Sequence, residues 1–203
     1  MPAPNVEVPY REFLRRCGRH SQVVDGLSTV APPLQRLLAE LVMMRLFDDF
    51  QEAISGVALR LACGAPYGDG SEPKLLTGPA RSTTSARVLL ETHGRTKSKP
   101  LKWSKVKFIN DTTKFVFDSK EPFRTACQAG SIPISEMQAV RNRIAHNSKS
   151  SRKDFGSVVV RHYGASVNSV TPGVLLLSPR FAPRTLDRYI AICRIIVRDC
   201  SKS

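Results

Sequence analysis

Residues 34–63 carry a long helical pattern of apolar side chains, which narrows the choice of folds more than anything else in the sequence. Apolar residues recur there at steps of three and four, which is the spacing of an α-helix. The pattern contains Leu34, Leu37, Leu38, Leu41, Ile54, Val57, Ala58 and Leu61. Gly64 follows and suits a helix C-cap. We therefore expect one long helix at the centre of a helical bundle.

Weaker helical patterns lie on both sides of this stretch. The further predicted helices are residues 10–20, 83–94, 106–119, 121–129, 132–148 and 185–200. Residues 157–163 and 174–178, separated by a Pro-Gly turn, are instead predicted as two short extended segments. The expected fold is all-α, a helical bundle with a small β-hairpin-like insertion before the last helix.

The domain prediction is a single domain over residues 1–203. Residues 1–33 form its N-terminal helix and a link, in which residues 21–33 are not helical. Residues 64–107 form a variable loop region that holds many Gly and Pro, and residues 132–148 form the helix that carries the candidate site.

The charge balance points to a polyanionic partner. The chain has 31 Lys and Arg against 17 Asp and Glu, a net charge of +14. Such a field attracts RNA, DNA or an acidic membrane surface, and it favours a nucleic acid without distinguishing RNA from DNA. The alternatives are charge that serves solubility, or an acidic protein partner.

Other features bear on location and on bound groups. No apolar run approaches the roughly 20 residues that a membrane helix needs, and the N-terminus does not resemble a signal peptide. A cytoplasmic protein without a membrane partner is expected. The five cysteines are scattered without a C-x-x-C pair, so no disulfide framework, metal site or cofactor is predicted.

Two segments concentrate the cations. Residues 95–107 hold six Lys and Arg, no acidic residue and the lone Trp103. Lys102 and Lys105 would hold RNA phosphates while Trp103 stacks on a base. The equal alternative is a solvated loop with Trp103 in the core. A second cationic loop, predicted as RNA-binding or else as ordinary solvated surface, contains Lys149, Arg152 and Lys153.

The helix at 132–148 carries the groups best suited to chemistry. A core face contains Ile134, Met137, Val140 and Ile144, and the opposite face contains Ser135, Gln138, Asn142 and His146. A histidine side chain such as that of His146 can move protons, and an arginine such as Arg141 offers a planar fork for a phosphate. Together they suit RNA cleavage by the 2′-hydroxyl, which needs a base, an acid and an anion stabiliser but no metal. The alternative is a histidine that caps or packs a helix end.

The stretch Arg141-Asn-Arg-Ile-Ala-His146 resembles the R-x4-H motif of HEPN domains. Asn142 directly after the Arg, the following Asn147 and the upstream Glu136 are also familiar from that family. The resemblance covers roughly residues 34–200, although only the motif is sharp. It implies a helical bundle that dimerises with its motif helices facing each other. Many such proteins are metal-independent ribonucleases of toxin–antitoxin and antiviral defence systems.

The resemblance also implies roles for single residues. Arg141 would bind the scissile phosphate, His146 would be the acid and base, and Asn142 would orient one of them. Arg143 would touch the RNA backbone or another chain. Ser148 stands where family members paired with nucleotidyltransferases often have Tyr, so control through that Tyr is not supported.

A homodimer is predicted from the residues as well. One His per chain supplies one proton-transfer group and a symmetric pair supplies two. Ala139 and Ala145 beside the polar face would let a second helix approach closely. The rival functions are a non-catalytic RNA- or protein-binding module of the same fold, and an interaction protein that binds an acidic partner such as an antitoxin.

Overall fold

A computed structural model describes residues 4–202, which contain nine α-helices and a short 3-10 helix. The helices are α1 (Glu7–Asp25), α2 (Pro32–Leu61), α3 (Thr83–Thr92), α4 (Val106–Thr113), α5 (Pro122–Ala129), α6 (Ser131–Ala145), α7 (Lys149–Tyr163), α8 (Pro172–Leu177) and α9 (Thr185–Ser201). The prediction of an all-α fold is confirmed. None of these helices is long and apolar enough to span a membrane.

Contacts divide the chain into two compact units. Unit 1 comprises Met1–Leu14, Phe50–Ser131 and Arg194–Ser203, and unit 2 comprises Arg15–Asp49 and Ile132–Cys193. Large side chains fill the core of each unit. Unit 1 buries Phe50, Ile54, Leu90, Ile109, Phe117 and Phe123, and unit 2 buries Met43, Leu46, Phe47, Ile134, Met137 and Leu186. The assignment of residues 1–203 to one domain stays a prediction.

The long α2 and the final α9 were predicted closely. All six residues expected to face inward on α9 are buried: Leu186, Tyr189, Ile190, Cys193, Ile196 and Val197. The prediction that residues 21–33 form a non-helical link was wrong in part. Helix α1 continues to Asp25 and the 3-10 helix Gly26–Thr29 follows it. The reason is that Val24 continues the buried stripe of Phe13 and Cys17.

The prediction of an extended insertion was also wrong, because residues 157–163 and most of residues 174–178 are helical. Residues 157–163 belong to α7, which buries Phe155, Val158 and Val159 and exposes Val160. This spacing is helical, so packing overrides the strand preference of three consecutive valines. Among residues 4–202 the only β pairing is an isolated bridge between Leu75 and Phe117.

Helix α8 begins at the Pro-Gly pair, where the sequence predicted a turn. The Thr171 side chain accepts a hydrogen bond from the Val174 N–H, and Pro172 occupies the first helical turn, where its missing N–H costs nothing. Gly173 lies against α2, since a Cβ there would come within 2.7 Å of the Arg36 Cβ. The Gly173 N–H donates to the Glu40 carboxylate at 2.8 Å.

Candidate functional site

Helix α6 carries the candidate site in unit 2. Its core face is as predicted for Ile134, Met137 and Val140, which are fully buried, whereas Ile144 is half-buried. Helical hydrogen bonding continues past Ala145, because the His146 N–H donates to the Asn142 carbonyl at 2.9 Å. His146 therefore occupies the end of the helix.

Arg141 has an acidic neighbour that the sequence pattern did not indicate. Its Nη2 lies 3.9 Å from the Asp48 Oδ1 on α2. The Arg141 side chain is 28% exposed and that of Asp48 is 49% exposed. Water reaches both groups, so the pair is loose and an incoming phosphate can compete with Asp48 for the guanidinium.

His146 and Asn142 are accessible but not joined to Arg141. His146 is exposed and Asn142 half-buried, and within residues 4–202 no hydrogen bond to either side chain is formed. On an ideal helix, positions 141 and 146 differ by about 140° in direction and about 7.5 Å in height. The two groups of one chain thus point in different directions, and a shared phosphate would meet them more easily from two chains.

A cluster of cations lies on both sides of His146 in the chain. The Asn147 Oδ1 accepts hydrogen bonds from the Arg143 Nη1 at 2.8 Å and from the Arg152 Nε at 3.1 Å. Two guanidinium groups are therefore held around one neutral amide oxygen. Lys149 and Lys153 are exposed beside them, and no acidic residue occurs in residues 137–153. The cluster is a ready contact for phosphate groups.

The expectation of a loop at residues 149–153 was wrong. These residues form the first turn of α7, whose N-cap Ser148 accepts a hydrogen bond from the Ser151 N–H at 3.1 Å. The Ser151 hydroxyl also donates to the His146 carbonyl at 2.7 Å, which fixes the turn between α6 and α7. The start of α7 thus follows the candidate site directly.

Glu136, one turn before Arg141 on α6, anchors the helix from within unit 2. Its carboxylate accepts a hydrogen bond from the Arg161 Nη1 at 2.7 Å, and it lies 3.4 Å from the His162 Nε2 and 3.5 Å from the Tyr189 hydroxyl. Burial acts to raise the pKa of Glu136, but hydrogen bonds from His162 and Arg161 outweigh it and lower the pKa below 4.5. Burial and the Glu136 charge raise the pKa of Tyr189.

The role of this cluster is to position α6. The His162 ring also packs edge-on against Phe181, with centroids 5.5 Å apart. Neither Glu136 nor His162 is exposed, so the cluster holds the helix and leaves its end accessible. Sequence reasoning noted Glu136 only through the family resemblance and did not find its partners.

The remaining predicted residues lie in unit 1. Trp103 is only 8% exposed, so it is buried in the core and does not stack on a base. Lys102 and Lys105 are exposed. The Lys102 backbone N–H and carbonyl both bond to the Thr112 hydroxyl, at 3.4 and 3.3 Å, which ties the segment to α4.

Comparisons with protein-family models, with curated proteins and with solved structures give no match to this chain. The HEPN resemblance therefore stays a prediction from the sequence. Within residues 4–202 no three His, Cys, Asp or Glu side chains gather in an arrangement that suits a metal ion.

Proposed function

We propose that this chain is a HEPN-type endoribonuclease that cleaves RNA without a metal ion, in a toxin or antiviral defence role. The observation that supports this best is the end of α6, where an accessible imidazole follows a guanidinium on the same helix. The cationic cluster of Arg143, Lys149, Arg152 and Lys153 lies on both sides of His146 in the chain, with no acidic residue among them.

The reaction needs only groups that this chain supplies. His146 takes the proton of a 2′-hydroxyl, whose oxygen then bonds to the adjacent phosphorus. The bond from phosphorus to the 5′-oxygen of the next nucleotide breaks, and that oxygen takes a proton from the same residue of a second copy. Arg141 stabilises the charge that develops on the phosphate. The products are a 2′,3′-cyclic phosphate and a 5′-hydroxyl end.

The proposal includes a homodimer, but its interface is not the one that Ala139 and Ala145 suggested. Ala139 is only 9% exposed because its own chain covers it, so of the two alanines only Ala145 is free for a partner. Exposed apolar side chains lie instead on α2. This α2 stripe consists of Leu34, Leu37 and Leu41, of which Leu37 is 62% exposed.

The α2 stripe leads toward the candidate site. On a helix that turns 100° per residue, its three leucines and Asp48 share one side within about 60°. Asp48 in turn contacts Arg141. A second copy that covers the stripe would thus also approach Arg141, which suits a site composed from two chains.

Cleavage of labelled RNA in the presence of a chelator tests the proposal. Wild type should cleave, and His146→Ala should lose about 10²–10⁴-fold in rate because proton transfer is lost. Arg141→Ala should be comparably slow, and Arg141→Lys should recover little if the contact is bidentate. His93→Ala is the matched control, because His93 is also exposed just after a helix end.

Three results would contradict the mechanism: full activity of His146→Ala, cleavage of RNA that lacks the 2′-hydroxyl, or loss of activity with chelator. RNA binding without any cleavage would instead favour the non-catalytic module. Thermal melting of each variant shows whether it is folded, which we expect because neither Arg141 nor His146 is buried.

A further inference from the structure

Unit 1 contains a cationic cleft that the proposed function does not use. Its volume is about 270 Å³, and it lies where the segment before α4 passes along that helix. The cleft is lined by Arg95, Lys99, Pro100, Lys102, Phe108 and Asp111, together with Thr112 and Lys114. Ligand sites for drug-sized molecules span roughly 300–1,000 Å³, so this open cleft would enclose only part of such a ligand.

Backbone contacts hold the walls of the cleft in place. The Arg95 Nη2 donates to the Asp111 carbonyl and, at 3.3 Å, to the Thr112 carbonyl. Both carbonyls belong to the last turn of α4, where a cation is favoured. The Lys102 backbone is bonded to the Thr112 hydroxyl on the same turn. The cations therefore lie on a fixed frame.

The charge of the cleft is unbalanced. Asp111 is the only acidic residue that lines it, and its Oδ1 already pairs with the Lys114 Nζ at 3.2 Å. Within residues 4–202, Arg95, Lys99 and Lys102 form no ion pair with a carboxylate. Three positive charges thus remain around a small cleft, and a ligand with several negative charges would satisfy them.

Two apolar residues, Phe108 and Pro100, line the cleft beside its cations. The Lys102 Nζ lies 5.4 Å from the Phe108 ring centroid. An aromatic ring beside cations is the combination that binds a base and its phosphate together. The sequence had suggested Trp103 for this role, but Trp103 is buried and Phe108 is the ring that faces the cleft.

We propose that this cleft binds one nucleotide, with phosphates on Arg95, Lys99 and Lys102 and the base against Phe108. The nucleotide is either free or one unit of an RNA strand, since the chemistry is shared. The proposal does not depend on cleavage at Arg141 and His146.

Two double variants of equal charge test it. Lys99→Glu with Lys102→Glu reverses cations that line the cleft, whereas Lys97→Glu with Lys107→Glu reverses exposed cations of the same segment that do not. ATP binding is measured by calorimetry. We expect the cleft variant to bind ATP at least about tenfold more weakly, because charged contacts are lost. The control variant should lose no more than about threefold, because its charges act only through screened solvent.

Further ligands test the phosphate contacts and the base contact separately. Inorganic triphosphate should bind more weakly than ATP, and adenosine hardly at all. Phe108→Leu should weaken ATP but not triphosphate. A 2′-O-methyl tetraadenylate, which has no free 2′-hydroxyl to attack, distinguishes the source: binding of ATP alone assigns a free nucleotide, and preference for the oligomer assigns a strand.

The proposal is overturned if both double variants lose ATP equally, because the effect would then be one of net charge. It is also overturned if triphosphate matches ATP, or if neither ATP nor the oligomer binds. Thermal melting confirms that each variant is folded before its affinity is interpreted.

Discussion

Asp48 restrains Arg141, and removing its charge should strengthen RNA binding. At their 3.9 Å separation, two unit charges attract with about 1 kcal/mol in bulk water and about 4 kcal/mol at an effective dielectric constant of 20. The Asp48 side chain is half exposed, so the lower figure applies, and measured exposed pairs contribute about 0.2–1 kcal/mol. Asp48→Asn should therefore improve affinity for RNA by up to about fivefold.

The assay is equilibrium binding of a labelled oligonucleotide with a 2′-O-methyl backbone, which prevents cleavage. The matched control is Asp25→Asn, which adds the same charge at an exposed residue with no side-chain hydrogen bond to the helix that follows. We expect a gain for Asp48→Asn that disappears in an Arg141→Ala background. A gain of equal size in Asp25→Asn, or one that persists without Arg141, would refute the reasoning.

Three further predictions concern other parts of unit 2. Leu37→Glu on the α2 stripe should convert a dimer into a monomer by light scattering, while Leu76→Glu, equally exposed in unit 1, should not; a dimer unaffected by Leu37→Glu would exclude this interface. Replacing Lys149 and Lys153 with Gln should weaken RNA binding and reduce the salt slope by about 1–2, and an unchanged slope would show that neither touches phosphate. Glu136→Gln should lower the free energy of unfolding by about 1–3 kcal/mol at neutral pH. Since the folded pKa of Glu136 lies below 4.5, its contribution is complete above 4.5 and is lost as the pH falls through the folded value, so wild type and variant should converge in acid. A difference that persists in acid would contradict this.

Helical spacing over many turns made the bounds of α2 and α9 predictable, although it did not show that Leu34, Leu37 and Leu41 on α2 are exposed. Apolar spacing did not predict helices α7 and α8, because their short runs of Val and Leu fit a strand equally well. The cap residues nevertheless indicated helices. Ser148 and Thr171 cap the two starts, and Gly164 ends α7 with a left-handed φ of 76°.

The candidate site was predictable only in part, for a related reason. Arg141 and His146 share one helix, so local spacing was enough to associate them. Asp48 and the partners of Glu136 come from other helices, and contacts between distant parts of a chain leave no trace in local spacing. Phe108 was missed because burial decides which aromatic ring faces a cleft, and only the fold determines burial.

The helical start of α7 changes what its cations mean. Arg143 lies in the last turn of α6, where the helix dipole favours a cation. Lys149 lies in the first turn of α7, where the dipole disfavours a cation by about 0.3–1 kcal/mol, and Arg152 and Lys153 follow directly after it. A loop would carry no such cost, and within residues 4–202 none of these three cations forms an ion pair with a carboxylate. A bound phosphate would relieve both the dipole and the mutual repulsion, so the cost of these cations to folding is an argument that they contact RNA.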